Sequence, residues 1–322
     1  MEMEIKLSVI IPCLNAEATL PAQLTALAAE KEPGPWELIV ADNGSTDRSI
    51  AVARSYKDSF QFFNIVDASD RRGAAHARNV GVSVARSDHI AFCDADDEVA
   101  PGWVARMSAG LSSHEVVYGR FRFEKFNDPH AAQRANKLWE DGLFKGRFLP
   151  GGGSGNLGVR RMVHEAIGGF DESLPRSEDA DYYWRLQLEG FDLHFIPDAV
   201  VQVRRERVNP SLHDRFRRRR DTVASNYWSY KRYRHLGMLP PPSLKTSLSV
   251  WLGLIKSLVR LRINTRQKRR AWVKQWVEQT GELVGQLQGR LLNPCQPYYP
   301  GNKALKTKMG SNAPFMSNQR AG

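Results

Sequence analysis

The first hundred residues alternate between short apolar runs and amphipathic stretches. Leu7–Pro12 (LSVIIP) is apolar without a break over strand length, the pattern of a strand covered on both faces. Ala16–Glu30, rich in alanine and leucine, predicts a helix, and Trp36–Ala41 a second strand. Asn43-Gly44-Ser45-Thr46 then supplies a turn and a helix start, and Asp47–Tyr56 reads as the second helix. Phe62–Val66, Gly73–Ala85 and His89–Cys93 continue as strand, helix and strand. This βαβαβαβ order predicts an α/β domain, Rossmann-like, with a mostly parallel sheet flanked by helices. In such sheets ligands sit beyond the carboxyl ends of the strands. Polar residues stand there: Asn15 after the first strand, Asp42 after the second, Asp94 and Asp96 after the fourth.

The pattern loosens beyond residue 115. Val116–Phe123 predicts a strand, and the loop Pro150-Gly151-Gly152-Gly153-Ser154-Gly155 precedes a short strand at Asn156–Val159. Gly168-Gly169-Phe170-Asp171-Glu172 reads as a turn, Glu178–Glu189 as a helix, Leu193–Val203 as a strand and Asp214–Arg234 as a basic helix. Pro240-Pro241-Pro242 is the clearest linker. After it Leu244, Leu248, Trp251, Leu252, Ile255, Leu258 and Val259 share one arc of a helical wheel, with Lys245, Lys256 and Arg260 opposite. The expected organisation is an α/β domain over residues 1–235, a basic amphipathic helical extension over 236–295, and a disordered tail over 296–322.

Composition narrows the class. Of 322 residues 42% are hydrophobic and 25% charged, which excludes a wholly disordered chain, a collagen or a disulfide scaffold. Cys13, Cys93 and Cys295 form no CxxC, so a reducing compartment is expected. MEMEIKLSVIIP carries no basic leader region, and no run of 18 uncharged apolar residues predicts a membrane span. The net charge of +11 is concentrated: residues 204–274 hold 20 Lys+Arg against 3 Asp+Glu. Such a stretch meets an anionic partner: a membrane surface, a nucleic acid or a polyanionic substrate.

Four places carry candidate chemistry. Asp94 and Asp96, projecting from one strand tip, repel each other unless a cation or a set of donors sits between them. A hard divalent ion with phosphate oxygens meets that need. Asp42 can accept bonds from a nucleobase or ribose, whereas Ser45 and Asp47 read better as helix caps. Arg78, between Ala75, Ala77 and Val80, can reach a diphosphate or an aspartate of the pair. Glu178 and Asp179 open a helix, where acids are favoured electrostatically anyway. Either carboxylate can instead take a proton from an acceptor hydroxyl.

LSVIIPCLNAEATL, IVADNGSTDRS, GAAHARNVGV, IAFCDADDEVAPGW, GGFDES and SEDADYYWRL fall in an order and spacing that resembles the family 2 glycosyltransferases of the GT-A fold, over about residues 6–205. The resemblance implies inverting transfer of a hexosyl or N-acetylhexosaminyl group from a nucleotide-diphosphate sugar, with Mg²⁺ or Mn²⁺. On it, Pro12 and Asn15 line the nucleotide pocket, Asp42 contacts the base, and Arg78 lies near the diphosphate. Asp94 reaches ribose or metal and Asp96 is the principal metal ligand. Asp179 matches the general base, with Glu178 beside it at the donor sugar. Many members carry a histidine where this chain reads VQVRRERVNP, so Arg204 or Arg205 takes that place. A guanidinium cannot ligate a metal but can neutralise a diphosphate. The PGGGSGNLG loop is a candidate acceptor site.

Partners expected on this reading are the donor, a glycan or lipid-linked acceptor in polysaccharide, lipopolysaccharide or glycolipid assembly, and an anionic membrane surface met by the basic and amphipathic segments. That places the chain in the cytoplasm, peripheral at the inner face of the membrane. Two rivals stay open here. A nucleotidyltransferase of related fold needs a Gly/Arg/Lys-rich signature after the first strand, where this chain has Pro12-Cys13-Leu14-Asn15-Ala16. A nucleic-acid-binding protein would use residues 204–274, but no RNP, KH or zinc-finger pattern accompanies them, so no nucleic acid is expected.

Overall fold

The computed structural model describes residues 4–30, 34–140, 142–205, 211–259, 265–292 and 295–301. The chain divides into two compact units. The first comprises residues 1–172, 179–205 and 299–322, and the second residues 173–178 and 206–298.

The first unit runs β1 (Leu7–Cys13), α1 (Leu20–Ala28), β2 (Trp36–Asp42), α2 (Ser49–Ser55), β3 (Phe63–Asp67), α3 (Ala74–Val84), β4 (His89–Cys93) and β5 (Glu98–Val99). It continues through α4 (Trp103–Ser113), β6 (Val116–Arg122), α5 (Pro129–Leu138), β7 (Asn156–Arg160), α6 (Arg161–Ala166), α7 (Glu178–Leu188, from its second residue onward) and β8 (Leu193–Gln202). One eight-stranded sheet has the order β3-β2-β1-β4-β7-β6-β8-β5. The half β3-β2-β1-β4 is parallel, as the pattern predicts. Beyond β4 the sheet is mixed: β7 runs antiparallel to β4 and β6, β8 parallel to β6, and β5 antiparallel to β8.

Helices on both faces explain the unbroken apolar run of β1. Leu7, Val9 and Ile11 pack with Leu20, Leu24 and Leu27 of α1 and with Trp103 and Met107 of α4. Ile10 points the other way, with Ala75 and Val82 of α3, Val163 of α6 and Tyr182 and Leu186 of α7. Each leucine, isoleucine, valine or methionine among them contributes roughly 1.5–3 kcal/mol on leaving water. A Cβ on Gly81 would overlap Ile10, so glycine lets α3 approach the sheet closely. That approach sets the height of Arg78, one turn earlier.

His164 is buried behind this layer and bonds Tyr182 Oη through Nδ1 at 2.9 Å. Burial first, then the charges of Arg185 and Arg161, push its pKa down to about 4. The folded chain therefore holds it neutral where the unfolded chain takes a proton, near pH 6.5. Stability from His164 is present above pH 6.5 and lost as pH falls towards 4, about 3 kcal/mol in all. Denaturant unfolding of His164→Asn and wild type across that window should show a smaller acid loss in the variant.

The second unit contains α8 (Leu212–Tyr233), α9 (Leu244–Val259) and α10 (Arg266–Leu291). α10 lays Gly281, Gly285 and Gly289 against α8. A Cβ on Gly281 would stand 2.7 Å from the Phe216 carbonyl oxygen, and one on Gly285 would overlap the Arg220 carbonyl. Four-residue spacing puts the three glycines on one stripe, which lets the backbones approach. Part of the basic charge is consumed in this contact: Arg215 pairs with Glu278 at 3.1 Å and Arg219 with Glu282 at 2.6 Å. Glu282 also accepts from Ser247 Oγ of α9 at 2.6 Å.

The expected apolar arc of α9 is divided. Trp251 meets Trp276 of α10 with ring centroids 4.6 Å apart, and Leu254 is buried. Leu248 and Leu252 of the arc, with Val250, stay exposed. A 16-residue wheel locates the apolar side but not which edge of it a neighbour covers. The expected tail lies outside the described residues from residue 302 onward.

Candidate functional site

The site lies at the carboxyl ends of the parallel strands. Pro12 stands near the end of β1 in register with Ala41, and Cys13 is in register with Asp42. Asn15 adopts φ 50°, a left-handed conformation that asparagine tolerates better than most residues. Its carboxamide oxygen accepts from Thr46 N at 2.8 Å, and its own amide donates to Ser45 Oγ at 3.0 Å. Asn15 thus locks the β1 turn to the β2 turn. Asp42, half-buried, accepts from Ser45 N at 3.0 Å. Asp47 takes the amides of Glu17 and Ser49. Burial opposes its ionisation, yet these amides and the Ser49 hydroxyl hold its carboxyl below the usual range.

Asn43 was not legible as a site residue. Buried, it donates to the carbonyls of Ala68 (2.6 Å) and Arg71 (2.8 Å) and accepts from Gly73 N at 2.7 Å. One carboxamide therefore fixes the whole loop from β3 to α3 beside Asp42. The outer side of that loop is held by His76, whose ring nitrogens lie 2.8 Å from Asp70 Oδ1 and 3.0 Å from Glu172 Oε2. Burial disfavours its protonation, but the two carboxylates outweigh burial and raise its pKa.

Arg78 is 4% exposed and donates from Nη2 to Asp94 Oδ1 at 2.8 Å. Its guanidinium also stands 5.4 Å from the Phe170 ring centroid. Asn79, the next residue, bonds both Phe170 N and Phe170 O at 2.9 Å. The GGFDE turn thereby supports the arginine.

At the tip of β4, ligand oxygens of Asp94, Asp96 and Asp97 lie within 4.8 Å of one another. Asp97 is the buried member, and desolvation first, then the charges of Asp94 and Asp96, raise its pKa well above the ordinary value. Three hard oxygen donors on one short turn fit Mg²⁺ or Mn²⁺ better than a soft metal. Asp97 was visible as the fourth residue of DADD; only burial distinguishes it. Gln23 of α1, fully buried, braces the turn by donating to Asp94 O at 3.2 Å and accepting from Val99 N at 2.9 Å.

Of the two arginines expected near this cluster, Arg204 is the one that reaches it. Its amide donates to Asp97 Oδ1 at 2.9 Å and its Nε to Asp96 O at 3.3 Å, while Phe126 carries its guanidinium at 3.9 Å. Arg205 turns away, with its amide on Asn127 and its guanidinium 5.4 Å from the Phe123 ring.

The glycine loop links the aspartate cluster to α7. A Cβ on Gly155 would stand 2.6 Å from Asp94 Oδ2, while one on Gly151 would lie 3.5 Å from Ala180 Cα. Four peptide steps reach at most about 14 Å. Ala180, with Asp179 the residue before it, therefore lies within about 23 Å of Asp94 once the gaps at the two ends of the loop are added. Glu178 is the first residue of α7 and groups with the second unit. Ser177, just ahead, has φ 62°. Among the described residues Asn15 and Ser177 are the non-glycine positions with left-handed backbone, Ser177 two residues before Asp179 in the chain. Gly155→Ala should displace Asp94 while leaving the core intact. A misplacement near 1 Å costs on the order of 10²-fold in turnover, to be read as donor turnover at unchanged melting temperature.

The models of two related families match: glycosyl transferase family 2 over residues 8–167, and glycosyl transferase family group 2 over residues 89–274. The chain belongs to the family 2 glycosyltransferases. It is 28% identical over 200 residues to the glycosyltransferase AglE of Haloferax volcanii, a match covering 60% of this chain and 65% of that protein. It is 34% identical over 116 residues to a PGL/p-HBAD biosynthesis glycosyltransferase of Mycobacterium bovis, covering 35% of this chain and 45% of that one. The chain thus spans less than two thirds of these relatives. The mannosyltransferase PcManGT of Pyrobaculum calidifontis, solved with GDP-Man and Mn²⁺, has a similar fold, with TM-score 0.56 at 16% identity over 90% of this chain and 88% of that one. Residues 1–349 of S. aureus TarS, solved with UDP-GlcNAc, give a TM-score of 0.52 at 15% identity, over 92% of this chain and all of that one. The fold is therefore GT-A.

Proposed function

We propose that this family member transfers a sugar, with inversion, from a nucleotide-diphosphate sugar to a hydroxyl of a glycan or lipid-linked acceptor in cell-surface glycan or glycolipid assembly. The observation that carries the proposal is the set of three aspartates within 4.8 Å, joined to a buried arginine, at the carboxyl ends of the parallel strands. Proteins of the same fold solved with GDP-Man and Mn²⁺ or with UDP-GlcNAc support a donor of that class.

The residues divide the work. Pro12, Asn15 and Asp42 shape the nucleotide pocket, with Asp42 accepting from the base. Asp96 and Asp94, joined by Asp97, would hold Mg²⁺ or Mn²⁺, which when bound neutralises charge on the departing diphosphate. Arg78 and Arg204 add fixed positive charge to the same oxygens. Asp179 removes the proton from the acceptor hydroxyl as that oxygen attacks the anomeric carbon, opposite the leaving group. Glu178 adjoins it. A panel of UDP-, GDP- and dTDP-sugars, assayed by released diphosphate with Mg²⁺ or Mn²⁺, tests the reading. Absence of turnover together with absence of stabilisation by any of the nucleotides would refute it.

The same proposal includes an anionic membrane surface at the inner face of the membrane. Among the described residues no helix is long and apolar enough to cross a membrane. Leu248, Val250 and Leu252 of α9 are nonetheless 42–52% exposed, within the basic stretch. Apolar insertion combined with lysine and arginine attraction binds such a leaflet, at about 1 kcal/mol per basic residue near the surface. Flotation of the full chain with phosphatidylserine vesicles should weaken with added salt and fail for Leu248→Glu/Leu252→Glu. Equal flotation of variant and wild type would remove the membrane contact.

A further inference from the structure

The geometry points to a binding platform for a phosphorylated saccharide on the hairpin of residues 142–151 and the neighbouring Trp139, a substrate class for the acceptor side of the transferase reading on which it rests.

The hairpin is a built element. Phe144 and Gly151 exchange backbone hydrogen bonds, Phe144 N to Gly151 O at 2.7 Å and Gly151 N to Phe144 O at 3.0 Å. One leg is tied to α7, where Trp184 Nε1 donates to Leu149 O at 2.8 Å and Phe148 meets the Trp184 ring edge-on at 5.5 Å. The other leg rests on Trp139, whose ring is 6.0 Å from Phe144 and 5.4 Å from Phe121 of β6. Phe121 in turn faces the glycine loop, since a Cβ on Gly153 would stand 3.0 Å from it. A continuous line of contacts thus runs from Asp94 through the glycine loop to Trp139 and Phe144.

That line fixes the distance. Gly151 to Gly155 spans at most about 14 Å, and a bridge across the hairpin adds about 5 Å. With the gap from Gly155 to Asp94 added, Phe144 lies within roughly 23 Å of Asp94, within reach of an acceptor chain of several residues whose end enters the site.

The chemistry exposed there is specific. Phe144 is 40% exposed and the half-buried Trp139 lies beside it with ring centroids 6.0 Å apart, so an aromatic pair reaches the surface there. Lys145 and Arg147, at the tip, are exposed and enter no ion pair among the described residues. Arg134 and Lys137 on α5 are exposed as well, with Glu140 just beyond the helix, Glu124 bonded to Asn136 and Asp128 at the N-cap as the described acids nearby. An aromatic pair accommodates the apolar face of a sugar ring, as aromatic walls do in ligand sites generally. A guanidinium and an ammonium beside it match phosphate oxygens, the arginine in two-pronged fashion. A neutral saccharide would leave both cations unused. The phosphate can belong to the saccharide itself or to the diphosphate that joins a saccharide to a lipid.

The test is calorimetric titration of the full chain, with UDP and Mn²⁺ present, using three probes: N-acetylglucosamine 1-phosphate, N-acetylglucosamine on a short prenyl diphosphate, and methyl N-acetylglucosaminide. At least one phosphorylated probe should bind about tenfold or more tightly than the neutral one, and Lys145→Glu/Arg147→Glu should erase that advantage. Trp139→Ala should weaken all three probes. Binding of the soluble phosphosugar assigns the phosphate to the saccharide, and binding of the prenyl probe alone assigns it to the lipid link. Equal affinity for neutral and charged probes, or a charge-reversed variant that binds like wild type, overturns the platform. Stabilisation by UDP or GDP with Mn²⁺ is read separately in each protein. Its failure in wild type defeats the transferase reading, while the probe series still decides the hairpin.

Discussion

Asp179→Asn should lower sugar transfer by roughly 10²–10⁴-fold, the contribution of a positioned general base, with donor binding left intact. The substitution keeps the shape of a half-buried side chain in the first turn of α7, where Oδ1 accepts from Ala180 N at 2.7 Å. It removes the negative charge and with it the capacity to take a proton. Its charge is felt locally: burial first, and then Tyr118 and Asp179, raise the pKa of Tyr183. Two measurements check the result, single-turnover transfer to an acceptor and thermal stabilisation by the donor nucleotide. A large loss in the first with none in the second identifies a residue acting in the chemical step. Near-normal transfer would place the base elsewhere, and Glu178 would be the next to replace.

Asp96→Ala should act on the other side of the reaction. With three aspartates inside 4.8 Å, like-charge crowding falls on the buried Asp97 even with Arg78 and Arg204 beside the cluster. Removing Asp96 deletes one hard oxygen donor and should abolish Mn²⁺-dependent nucleotide stabilisation, worth about 2.7 kcal/mol at a ligand concentration 100-fold above Kd. Turnover should fall by at least about 10³-fold, since stabilisation of developing charge is commonly the largest catalytic contribution. The melting temperature without ligand should hold or rise, because the change relieves like-charge crowding on Asp97. If nucleotide and Mn²⁺ stabilised Asp96→Ala as fully as wild type, the metal would have to sit on other ligands.

Much of this site is legible along the chain because its parts are local. DADD follows an apolar strand directly, and the strand's burial forces the carboxylates out at its end. Arg78 is placed by its apolar neighbours, one turn into α3. What stays hidden is the partner set. Asn43 looks like a turn residue, and only its three bonds to the Ala68–Gly73 loop show that it fixes the wall of the pocket. His76 and Glu172 are 96 residues apart, and no periodicity relates them. The same holds for α10, whose glycine stripe disappears in a polar, basic sequence. Its meaning depends on the α8 backbone lying against it.

The parallel half of the sheet, its helices and the acidic strand ends are encoded locally in the chain. Those follow from the alternation of apolar runs and amphipathic stretches, which is set within a few residues. Folding in three dimensions is what makes the sheet mixed at β7, brings Arg204 rather than Arg205 to the aspartates, and joins Asp94 to α7 through the glycine loop. Each depends on contacts between residues far apart in the chain, where strand direction and side-chain reach are fixed by packing and not by local pattern.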